Sequence, residues 1–157
     1  MRKLSFMTAA AALALAVLVA GALAAKKPVS FSAKYTGTAV TQQTDNTVAI
    51  TANGTGSGTL GAGKITGTGT GDSSVRPCVP FTGTGSMSGP SGVVQFKVIP
   101  ASSGCGDDSG QVFTISGKAV VLKTTGKYKG VKGTLRFTGT FDRSSGAFSS
   151  KFTGLLK

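Results

Sequence analysis

From Val29 onward the chain keeps time in twos. Val29, Phe31, Ala33, Tyr35, Gly37 and Ala39 alternate with Ser30, Ser32, Lys34, Thr36 and Thr38. Successive side chains of a strand point to opposite faces, so this rhythm specifies a strand with one apolar and one wet face. It returns in Phe113, Ile115, Gly117, Ala119 and Val121, and again in Leu135, Phe137, Gly139 and Phe141. Phe148 and Phe152 place a last strand on the same plan. Helix signals are almost absent after residue 25.

Turn signals separate these runs. Asp45-Asn46, Asn53-Gly54, the SGPSG of 88–92 and the DRSSG of 142–146 all favour reversals, and Pro77, Pro80 and Pro100 fall where a strand would end. The predicted strands cover roughly 29–41, 46–54, 58–71, 80–88, 92–100, 110–123, 131–142 and 146–156. Eight short meandering strands with one apolar face point to an all-β, eight-stranded antiparallel barrel, which leaves no sheet edge unpaired. A two-sheet β-sandwich is the alternative. The repeats ITGTGTG (65–71), FTGTGSMSG (81–89) and FTGTF (137–141) match the period of a sheet. They are read as strands with threonine outside and glycine inside, where a missing side chain makes room for a bulky neighbour.

Residues 1–25 resemble an export signal. Arg2 and Lys3 precede an apolar run from Ala9 to Ala20, and Ala22-Leu23-Ala24 supplies a small-x-small cleavage pattern. The run is shorter than the ~20 residues a stable span requires. The expectation is a secreted or periplasmic protein, cut near Ala24 or Ala25, with 26–157 as a single domain and no transmembrane span in the mature chain. In an oxidising compartment the two cysteines, Cys78 and Cys105, are expected to form one disulfide stapling two turn-rich segments.

The stretch TGKYKGVKGTLRFTGTFD (125–142) resembles the dirigent and allene oxide cyclase-like barrels, a pattern small secreted bacterial proteins also carry. The shared element, G-x-[YF]-x-G-x-x-G-x-hydrophobic, falls here on Gly126, Tyr128, Gly130, Gly133 and Leu135. The resemblance implies an eight-stranded antiparallel barrel with Tyr128 packed inward at one end. It carries no activity over, because the polar pocket residues of the family's enzymes have no counterparts that can be placed on this sequence.

The residue inventory argues against catalysis. There is no His and no Glu, and the acids are five aspartates: Asp45, Asp72, Asp107, Asp108 and Asp142. A serine nucleophile lacks a histidine partner, and nothing in the spacing makes two carboxylates converge. GCGDDSG (104–110) has two carboxylates but not the alternating spacing of a calcium loop, and is read as a solvated hairpin tip. No metal site and no cofactor are expected.

Two binding modes stay open for a non-catalytic module. Seventeen Lys and Arg give a net charge of +12, and the densest basic stretch holds Lys123, Lys127, Lys129, Lys132 and Arg136, a candidate site for an anionic cell-surface polymer or another polyanion. Alternatively, an interior lined by Phe31, Tyr35, Phe113, Phe137, Phe141 and Phe152 could hold a small apolar ligand.

Overall fold

The computed structural model describes residues 27–157, so the expected export signal at 1–25 lies outside the described residues. Nine strands follow one another: β1 (Val29–Thr44), β2 (Thr47–Gly58), β3 (Gly63–Asp72), β4 (Cys78–Gly89), β5 (Gly92–Val98), β6 (Ser103–Gly106), β7 (Val112–Thr124), β8 (Gly133–Asp142) and β9 (Ala147–Leu156). Every pairing is antiparallel, in the order β3-β2-β1-β9-β8-β7-β5-β4. The β3–β4 ladder, Lys64↔Ser88 to Gly71↔Phe81, joins the two ends of that order and closes the barrel. A sandwich would leave the two sheets unconnected there.

The barrel has eight staves rather than nine, because β5 and β6 are two lengths of one. Both lie between β4 and β7 and run in the same direction. The sequence predicts the end of this stave at Pro100 and a loop over 101–109. In the structure Ile99–Ser102 bulges out and the strand resumes at Ser103. Buried Ser102 repairs the gap. Its Oγ donates to the Ile99 carbonyl at 2.9 Å and accepts from the Lys118 N–H at 3.2 Å, while its own carbonyl accepts from the Phe81 N–H at 3.0 Å. The hydroxyl thus bridges the Lys118 N–H and the Ile99 carbonyl, two ladder groups that the bulge holds apart.

The two ends of the barrel differ. One is filled by Leu60, Met87, Val94, Leu135 and Leu156, all fully buried, with Phe31 beside them. A 3-10 turn, Gly126–Tyr128, folds over this end and seats the Tyr128 ring against the core. Gly126 (φ 61°) and Gly130 (φ 80°) take left-handed backbone conformations that residues with a Cβ seldom adopt, so this cap depends on glycine. The opposite end carries the β1–β2 turn, the β3–β4 loop with its cis Arg76–Pro77 peptide, the β6–β7 loop and the β8–β9 turn.

Glycine decides where the aromatic rings lie. Phe148 on β9 stands opposite Gly37 on β1, which stands opposite Gly54 on β2. A Cβ at Gly54 would meet the Phe148 ring at 2.9 Å, so the ring lies along the wall over two bare strands. Phe96 does the same over its cross-strand partner Gly85, where a Cβ would meet the ring at 2.5 Å. Rings flat against the wall fill less of the bore than rings pointing at the axis. The threonines of the T-G repeats face outward, as at Thr66, Thr68 and Thr70.

Candidate functional site

The half of the bore away from the Tyr128 cap is hollow. A cavity of about 510 Å³ opens at that end, within the ~300–1,000 Å³ range of small-molecule sites. Its wall is largely apolar: Val48, Ile50 and Ala52 from β2, Phe81 from β4, Phe113 and Ile115 from β7, with Phe137, Phe141, Phe148 and Phe152 from β8 and β9. Gly67 and Gly69 on β3 and Gly83 on β4 also line it. Glycine at successive inward positions leaves nothing to fill this side. The rings that line it pack on one another with tilted planes: the Phe137 ring centre lies 5.5 Å from that of Phe152 and 6.1 Å from that of Phe81, and Phe113 lies 6.4 Å from Phe141.

Of the six expected interior residues, Phe113, Phe137, Phe141 and Phe152 line the cavity, while Phe31 and Tyr35 lie in the buried core. Phe81, Phe96 and Phe148 were not anticipated there, yet all three line it. Phe96 could have been found from the Val94-x-Phe96-x-Val98 alternation, and Phe148 from its phase with Phe152. Phe81 is legible too, because it is in phase with Gly83 and Gly85, the inward glycines of its T-G run.

Polar groups at the cavity are few. Gln43, Ser73, Arg76 and Arg143 stand at its mouth, and the Gln43 side-chain amide donates to Ser73 Oγ at 3.4 Å. Arg76 belongs to the β3–β4 loop and Arg143 to the β8–β9 turn, on opposite sides of the eight-stave ring. Deeper in, the Ser150 hydroxyl is buried without a hydrogen-bond partner among the described residues. Its cross-strand partner Tyr35 likewise buries an unpartnered phenol, and burial pushes that phenol's pKa up. Among the described residues, no carboxylate lines the cavity.

All five aspartates nevertheless belong to the mouth end, in or beside its turns. Three are occupied locally. Asp72 accepts from the Ser74 hydroxyl at 2.6 Å and the Ser74 N–H at 3.0 Å; Asp107 accepts from Ser109, Gln111 and Val112; Asp142 accepts from Ser144 and Ser145. These bonds, led in each case by the serine hydroxyl, hold the three carboxyls below the usual carboxylate range. They are turn-formers. Among the described residues no group of three or more His, Cys, Asp or Glu could hold a metal.

Cys78 and Cys105 are bonded, directly opposed on β4 and β6 near the mouth. The bond ties the four-residue β6 to its neighbour beyond the bulge, and it is consistent with an extracellular or periplasmic protein.

The basic stretch divides. Lys127, Lys129 and Lys132 are exposed on the cap and Lys123 just before it, whereas Arg136 faces outward from the middle of β8. Lys127 sits over the Tyr128 ring, 5.9 Å from its centroid. Comparison with protein-family models, with curated proteins and with solved structures returns no match for this chain.

Proposed function

We propose that this protein is a non-catalytic binding module, exported before its disulfide forms, that holds a small, largely apolar molecule in the open half of the barrel. The observation that carries the reading is the cavity itself: about 510 Å³, walled by phenylalanine and aliphatic side chains, closed at its inner end by packed core and open at the other. Apolar surface left facing water inside a barrel favours uptake of an apolar guest, at roughly 25 cal/mol per Å² removed from water. The polar end of such a guest would stay at the mouth, beside Gln43, Arg76 and Arg143. With no His in the chain and no carboxylate on the lining, the usual general acids and bases are missing from the cavity wall.

The test is titration with a neutral fluorescent naphthylamine, comparing the unmodified protein with Ala52→Phe. Ala52 lines the cavity and already carries a Cβ, so the larger ring extends into the space. Saturable uptake that weakens at least tenfold in the variant is expected. Equal uptake by both proteins, or none by either, would overturn the reading.

A further inference from the structure

Five cations far apart in sequence meet on the outer wall. Lys34 on β1 stands directly opposite Lys151 on β9, and Arg136 on β8 directly opposite Lys118 on β7. Lys151 pairs with Thr138, two residues from Arg136 on the same outward face of β8, so these cations are diagonal neighbours. Lys97 on β5 pairs with Val120, two residues from Lys118 on β7, and makes the next diagonal step. All five side chains are exposed. The result is a belt across five adjacent staves, with steps of about 5 Å for direct pairs and about 7–8 Å for diagonal ones.

The belt lacks counter-charge. Every aspartate belongs to the mouth end, and none of the five cations forms an ion pair among the described residues. Like charges directly opposed across strands are destabilising, and this wall carries two such pairs side by side. A chain of anions laid along the belt would relieve both.

We propose that the belt binds a linear, base-free polyanion, a polymer bearing phosphate or sulfate groups at regular spacing. Three features select this occupant. The cations wrap around five of the eight staves, so a flat bilayer would touch the belt over only part of its course, whereas a flexible polymer follows the curve. Apart from Val120 opposite Lys97, the outward neighbours include Ser32, Ser116, Thr138 and Thr153, hydroxyl groups suited to phosphate or sulfate oxygens. No aromatic side chain stands outward among them, so bases would find no stacking platform.

The experiment uses dextran sulfate as probe across a salt series, with single-stranded DNA and anionic phospholipid vesicles as competitors. One variant changes Lys34, Lys97, Lys118, Arg136 and Lys151 to Gln; a control changes Lys27, Lys64, Lys127, Lys132 and Lys157 to Gln, five cations away from the belt. Five contacts at about 0.7 released counterions each predict a log–log salt slope of about −3 to −4. The belt variant is expected to lose at least tenfold in affinity and most of that slope, the control much less. The belt variant should also melt at a higher temperature at low salt, because the opposed pairs are gone. Equal losses in the two variants would reduce the effect to net charge and overturn the proposal, as would preference for DNA or vesicles over dextran sulfate. Neither outcome bears on uptake by the cavity.

Discussion

The Tyr128 phenol donates a hydrogen bond to the main-chain carbonyl of Thr59 at 3.1 Å, tying the cap over the barrel's end to the β2–β3 turn. Thr59 in turn holds β1: its N–H donates to the Ser32 carbonyl, and its hydroxyl accepts from the Ser32 N–H at 2.8 Å. One aromatic residue therefore latches the filled end shut. Tyr128→Phe should cost about 1 kcal/mol, the net worth of one hydrogen bond. Tyr128→Ala also empties a buried ring site and should cost about 3–5 kcal/mol. Urea unfolding of the two variants checks both figures, and equal losses would mean that the hydroxyl rather than the ring matters.

Tyr35 invites the opposite result. Its ring packs edge-on to Phe152 at 6.4 Å, but its hydroxyl is buried with no partner. A buried unsatisfied hydroxyl is a cost, so Tyr35→Phe should leave stability unchanged or raise it by about 1 kcal/mol. A loss larger than that would reveal a partner for the phenol.

Reduction of Cys78–Cys105 should weaken the mouth end more than the capped end. The bond closes a loop of 27 residues, worth about 3–4 kcal/mol in the chain-entropy picture. The four-residue β6 depends on it most directly. Amide exchange in the reduced protein should accelerate first at Ser103–Gly106 and at their partners on β4 and β7, with β1 and β9 still protected. Uniform acceleration would show that the barrel opens as a unit.

The β8–β9 turn should carry an acid limit. The Asp142 carboxylate accepts from the Ser144 hydroxyl at 2.6 Å, the Ser144 N–H at 2.8 Å and the Ser145 N–H at 3.3 Å, which lowers its pKa to about 2. A carboxyl depressed in the folded state stabilises fully above its unfolded value of about 4 and stops doing so as pH falls through the folded one. The turn should hold at pH 5, weaken below pH 4 and be lost near pH 2, as a carboxyl-carbon NMR titration would report. A midpoint near 4 would mean the serine contacts do not persist in solution.

The staves were legible because a half-buried strand writes its two faces into alternate residues. That is how Phe31, Ala33 and Tyr35 announce β1. The break between β5 and β6 was not, because Pro100 reads as an end and nothing local says that Ser102 will bridge it. The cavity was only half visible. Alternation identifies Phe137 and Phe141 as inward-facing, but whether inward rings fill a bore or line it depends on glycines on other strands. Arg76 and Arg143 were hidden for a different reason: turn residues have no period, so only the assembled barrel brings them to one opening. The cation belt was hidden too, since Lys34, Lys97, Lys118, Arg136 and Lys151 become neighbours only through register.

The ring of Phe148 over the bare backbone of Gly54 also bears on how such a chain can change. A side chain acquired at Gly54 collides with the ring; a ring lost from Phe148 leaves two bare strands exposed to the bore. The two are not equivalent, because a Cβ at Gly54 would also meet the Thr36 carbonyl oxygen at 2.5 Å, a main-chain contact that removing the ring does not relieve. Drift at this pair is therefore expected to be one-sided: the aromatic position can change in size, while the glycine beneath it persists.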